Sequence, residues 1–102
     1  LKGEIRSVLN ARAKVRKVVI YGSVAEGREL PNSDIDIFIV VDDEEERKKI
    51  ASSLSQLTNT CLQLYGNKVS PHICTLRDYS APKTEHKRFL ENVSRGVVVI
   101  DK

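Results

Sequence analysis

The run Ile35 to Val41, IDIFIVV, limits what this chain can fold into more than any other stretch. Side chains alternate faces along an extended strand, so Ile35, Ile37 and Ile39 share one face. Asp34, Asp36, Phe38 and Val40 share the other. An exposed edge strand would stay polar at positions 38 and 40. This one turns apolar on both faces, which predicts a central strand with its carboxylates at the rim where the sheet leaves the core. Asp34 and Asp36 are spaced i, i+2 and lie roughly 6.6 Å apart along the strand. Two like charges at that distance repel by about 2.5 kcal/mol at an effective dielectric of ~20. A cation held between them converts that cost into a binding site.

The second informative stretch precedes it. Lys17 to Tyr21 (KVVIY) is a β-branched run that reads as a buried strand, and Gly22-Ser23 ends it. Gly22 lets the backbone turn sharply and approach a ligand with no Cβ in the way. Ser23-x-x-Glu26 is a capping-box pattern, so Ser23 is expected to open a short helix reaching about Arg28. The N–H groups of such a turn suit phosphate. A phosphate cradle this close to paired carboxylates suggests a nucleotide held with magnesium.

Around these lie the elements of one domain. A helical stripe (Leu1, Ile5, Val8, Leu9) leads in, and Leu30-Pro31-Asn32-Ser33 is a turn. Ile50, Leu54, Leu57, Cys61 and Leu64 form a seam for one long amphipathic helix, with Asp43 as N-cap and Gly66-Asn67 as stop. Lys68 to Thr75 (KVSPHICT) is a third strand, and Pro71 suggests an edge or bulge. Asp78 to Lys83 reads as loop. Glu85 to Arg95 is a shorter helix, Gly96 stops it, and Val97 to Ile100 is a last strand.

The pattern Gly22-Ser23-x3-Gly27-x5-Ser33-Asp34-x-Asp36 resembles the signature of the DNA polymerase β-like nucleotidyltransferase superfamily. The order of elements looks most like its minimal nucleotidyltransferases. The resemblance implies an α+β fold spanning residues 1–102: a mixed four-stranded sheet with helices packed on one face, like a polymerase β palm. It implies a transfer of nucleoside monophosphate from a Mg²⁺-bound NTP, with ATP the expected nucleotide, to a hydroxyl acceptor. Asp34 and Asp36 would be the catalytic, metal-holding carboxylates. Gly22 and Ser23 would hold the triphosphate, with Ser33 capping the turn and steadying the first carboxylate. Gly27 would support packing, and Lys17 and Arg28 stand where a charge could touch phosphate but is usually solvated.

One departure matters. Active members of the family carry a third carboxylate on the next strand, where it completes the metal site and acts as base. Here that strand has no acid, and its polar face presents Ser70, His72 and Cys74, with Ser70 and His72 the residues available for the position. Two readings follow: a transferase, or a catalytically impaired nucleotide-binding module acting as antitoxin or regulatory subunit of a helical partner.

Composition sets the remaining bounds. The 102 residues allow one core, and a net charge of +3 tolerates nucleic acid without demanding it. The basic stretch Lys83, His86, Lys87 and Arg88 reads as a solvated helix face, or else as a contact for an acidic partner or nucleic acid. No apolar run reaches 18 residues, so no membrane helix is expected, and LKGEIRSVLN carries charges where a signal peptide is apolar. Cys61 and Cys74 lack CxxC or His at ligand spacing and read as reduced core residues, which points to the cytoplasm. The chain contains no Met and is expected to be trimmed or cut from something longer. The catalytic fold uses nearly all its residues, so the acceptor side should be completed by a small helical partner protein or a missing helical segment.

Overall fold

The computed structural model describes residues 2–22 and 34–102. Ser23, Gly27, Arg28 and Ser33, and the short helix expected between them, lie outside the described residues. Among the described residues the elements are α1 (Lys2–Leu9), β1 (Val15–Tyr21), β2 (Ile35–Val41), α2 (Glu44–Lys49), α3 (Ala51–Tyr65), β3 (Val69–Thr75), α4 (Leu76–Ser80), α5 (Thr84–Ser94) and β4 (Val97–Asp101). The strands form one sheet in the order β3-β2-β1-β4. β1 runs antiparallel to β2 and β4, whereas β3 is parallel to β2, so the sheet is mixed.

β2 is central, as its two apolar faces predict. Ile35, Ile37, Ile39 and Val41 turn into one cluster with Ile5 and Leu9 of α1 and with Leu54, Leu57 and Cys61 of α3. Each fully buried aliphatic side chain of this kind contributes about 1.5–3 kcal/mol. Phe38 and Val40 turn the other way, onto Val93, Phe89 and Leu90 of α5 and Tyr79 of α4. Helices therefore cover both faces. α1 and α3 pack on one face, whereas α5 buries Val93 and packs the partly buried Leu90 and Phe89 on the other side of the sheet. Cys61 is buried, Cys74 is half-buried, and both are free.

Local chemistry fixes the ends. Asp43 caps α2, its carboxylate accepting the Glu46 N–H at 2.9 Å. Gly66 ends α3 in the left-handed region (φ 72°), donating its N–H to Leu62 O at 3.0 Å. The expected single long helix is divided at Ile50. Even so, Ile50 N to Glu46 O and Leu54 N to Ile50 O, both 2.9 Å, carry hydrogen bonds through the joint. Pro71 lies on an edge strand, where its missing donor costs little. Residues 76–80, partly read as loop, form α4, with Thr75 Oγ1 accepting the Asp78 N–H at 3.3 Å. Five residues are too few for a helical period to register. No described helix is long and apolar enough to cross a membrane.

A buried ion pair ties α2 to the segment after α1. Glu46 is 3 % exposed and accepts from Arg12 Nε at 2.5 Å and Nη2 at 3.1 Å. The Arg12 hydrogen bonds hold the Glu46 carboxyl below its ordinary pKa against the opposing effect of burial.

Candidate active site

The register of three neighbouring strands assembles the site. Tyr21 of β1 pairs with Asp36 of β2, and Asp36 pairs on its other side with Ser70 of β3. Gly22 follows Tyr21 and turns with φ 78°, a conformation that side chains rarely adopt. A Cβ placed on Gly22 would stand 2.6 Å from Asp36 Oδ2. The glycine thus meets two demands at once: a left-handed turn and close approach to the carboxylate. Asp34 is exposed at the entrance to β2, and Asp36 is half-buried two residues on. The i, i+2 spacing puts both on the face covered by α5.

Electrostatics bear this out. The Asp36 carboxyl is pushed above its ordinary pKa, first by burial and then by the Asp34 charge. The Tyr21 phenol is raised by burial and then by the Asp36 charge. The donor set fits a hard divalent cation: two carboxylates that repel each other and have no ion-pair partner among the described residues. Among the described residues no third His, Cys, Asp or Glu joins them to make a metal-holding group. Two protein ligands suit Mg²⁺, which keeps water and substrate oxygens in its remaining positions.

Of the two residues available for the third position, Ser70 is the one in register with Asp36. His72 is two residues further, paired with Phe38. Its ring stacks on Phe38 (centroids 5.9 Å) and lies 4.5 Å from Phe89. Burial, then the charges of Arg47 and His86, hold its pKa below the ordinary value, so it is neutral at pH 7. Lys17 sits toward the other end of β1, with Nζ 3.3 Å from Tyr79 Oη and 5.7 Å from that ring's centroid. A cavity of about 410 Å³ opens there too, between Lys17, Phe38, Tyr79 and Leu90.

Sequence reasoning overlooked Tyr21 and Phe89. Tyr21 packs edge-on against Phe89 (5.6 Å), which anchors α5 beneath the carboxylates. The signal was present, since alternation along β1 puts Tyr21 and Val19 on one face.

A glycine turn at the end of one strand, facing paired carboxylates on its antiparallel neighbour in a mixed sheet, is an arrangement of the polymerase β palm type. A family profile described as "Polymerase beta, Nucleotidyltransferase" matches residues 3–101. The chain belongs to this family. No curated protein sequence matches it. Among solved structures it is similar to a chain of a toxin–antitoxin complex with AMP-PNP, at 19% identity and TM-score 0.61, covering 99% of this chain and 73% of that one. It is also similar to a chain of a mutant MntA–HpeT toxin–antitoxin complex, at 17% identity and TM-score 0.62, covering 100% and 74%. A third likeness is to a chain of the complex between a tri-AMPylated Shewanella oneidensis HEPN toxin and an MNT antitoxin, at 16% identity and TM-score 0.53, covering 99% and 70%. At these identities the likeness is one of fold.

Proposed function

We propose that this domain binds a nucleoside triphosphate, ATP by preference, with Mg²⁺ between Gly22 and Asp34/Asp36, and transfers its nucleoside monophosphate to a hydroxyl of a helical partner protein. The observation that carries this reading is the closeness of Gly22 to Asp36, which sets a side-chain-free turn against a carboxylate whose pKa is raised by burial and by the Asp34 charge. Gly22 and Ser23 receive the β- and γ-phosphates, with Ser33 steadying Asp34. Asp34 and Asp36 would hold Mg²⁺, which when bound would neutralise charge on the leaving pyrophosphate. The acceptor oxygen forms a bond to the α-phosphorus, the bond from that phosphorus to the bridging oxygen breaks, and pyrophosphate departs. The hydroxyl proton passes to solvent or to a substrate phosphate oxygen, because the serine at Ser70 supplies no carboxylate base.

The toxin–antitoxin complexes among its structural relatives, one with AMP-PNP and one with a tri-AMPylated toxin, support a partner protein as the acceptor and an antitoxin role for this chain. Ser70 beside Asp36 favours a second reading: a nucleotide-binding module that has lost turnover and acts by binding its partner. Incubation with each labelled NTP, Mg²⁺ and the product of the neighbouring gene separates them. Labelled partner supports transfer. Metal-dependent NTP binding with no labelled product supports the binding module, and absence of both refutes the nucleotide site.

A further inference from the structure

The basic stretch Lys83, His86, Lys87 and Arg88 is exposed and is not used by this reading, but two of its side chains, Lys83 and His86, also line a cavity. Along the outer side of β3 lies a cavity of about 270 Å³. Arg47 of α2, His72 of β3, and Lys83 and His86 at the start of α5 line it, with Asp78 the one carboxylate among the described lining residues. Three separate parts of the fold thus bring basic or protonatable groups to one concavity, where an anion would offset the like charges of Arg47 and Lys83. Arg47 is already positioned: Nη2 donates to Ile73 O at 2.5 Å and Nη1 to Glu44 Oε1 at 3.1 Å. The side chains of Lys83 and His86 have no hydrogen bond or ion pair among the described residues, so their side-chain donors remain available; His86 N–H itself donates to Lys83 O at 2.9 Å. The influence of Arg47 and His86 on the His72 imidazole agrees with a positive potential inside.

The register says where this cavity stands. His72 is two residues along β3 from Ser70, and Ser70 is beside Asp36. Gly22 approaches Asp36 from the opposite flank, that of β1. We infer that the cavity between Arg47, His72, Lys83 and His86 is a phosphate-binding subsite, on the acceptor flank of the carboxylates, for an acceptor that carries a phosphate ester. The acceptor assignment rests on the transferase reading, whereas phosphate binding itself does not. Phosphate suits the donors better than carboxylate does, because four cationic or protonatable groups converge from several directions on one concavity.

The chain has two histidines, and both line this cavity. Imidazole ¹H–¹⁵N spectra of the full chain therefore report directly on it, and His86→Gln assigns the remaining signals to His72. The probes are inorganic phosphate and glycerol 2-phosphate, without metal. Saturable shifts of both imidazoles are expected with either probe, with affinity reduced about tenfold in Lys83→Gln, which loses one charged donor. Retained backbone dispersion in Lys83→Gln excludes misfolding as the cause. No saturable shift at tens of millimolar phosphate, or equal affinity in Lys83→Gln, overturns the subsite. Binding of inorganic phosphate but not the ester overturns the acceptor assignment. These readouts need neither metal nor turnover. A chain that binds phosphate but transfers no nucleotide refutes the transferase reading alone, and the converse refutes the subsite alone.

Discussion

Ser70 lies in register beside Asp36 across the parallel pairing of β2 and β3. A carboxylate introduced there would stand next to Asp34 and Asp36, the pair proposed to hold the metal, and could take the acceptor's proton. Ser70→Asp is expected to raise nucleotide transfer to the partner at least tenfold, a floor set below the ~10²–10⁴-fold that a positioned base contributes. It should also lower the Tm of the metal-free protein by adding a third like charge. Single-turnover transfer rates and thermal scans with and without Mg²⁺ check both effects. Wild-type transfer as fast as the variant's would place the base elsewhere.

Gly22→Ala tests the turn. The residue sits at φ 78° and its new methyl would meet Asp36 Oδ2. Left-handed backbone costs an ordinary residue about 1–2 kcal/mol, and displacement of the carboxylate adds to that. A destabilisation of about 2 kcal/mol by denaturant titration is expected, together with loss of metal-dependent NTP binding by calorimetry. Unaltered stability and affinity would show that the turn is not shaped by its neighbour.

Asp36→Asn separates binding from folding. Because the folded protein raises this carboxyl's pKa, ionised Asp36 opposes folding. That opposition is complete above the folded-state pKa and vanishes as pH falls below the ordinary carboxylate value near ~3.9. The Asn variant should therefore melt a few degrees higher than wild type at pH 7, the gap closing towards acid pH, while Mg²⁺-dependent NTP binding is lost. An Asn variant that melts lower at pH 7, or keeps wild-type Mg·NTP affinity, contradicts the site.

The Arg12–Glu46 pair has the opposite sign. Glu46 is held below its ordinary pKa, so its contribution is present above the unfolded value near ~4.3 and disappears as pH falls through the folded one. Arg12→Ala leaves Glu46 buried without its partner and should cost on the order of 2–3 kcal/mol at pH 7, below the full figure for a buried pair because Arg12 is partly exposed. The cost should shrink in acid. Thermal unfolding of both proteins from pH 7 to pH 3 measures it, and a pH-independent difference would assign the loss to packing.

Much of the fold was legible because local rules carried it. Alternation in 35–41 revealed both faces of β2, Gly66 revealed the end of α3, and Asp43 the start of α2. Gly22 and the two carboxylates were legible as a spacing, while their mutual contact needed the register of β1 on β2. Arg12 and Glu46 are 34 positions apart, and nothing local to either announces the other. The second helical layer was obscured for a similar reason. The inward residues of α5, Phe89, Leu90 and Val93, reveal an apolar stripe but not which side of a sheet will receive it.

The sheet order also bears on how the chain folds. β1 forms early in the sequence, yet its outer partner is β4, and the Arg6–Val99 hydrogen bond joins residues 93 positions apart. Pairings of that span close large loops and slow the search for the native state. On the ribosome, β1 must wait with one edge unpaired until β4 emerges. During that interval the growing chain exposes a β-branched edge that other strands could join.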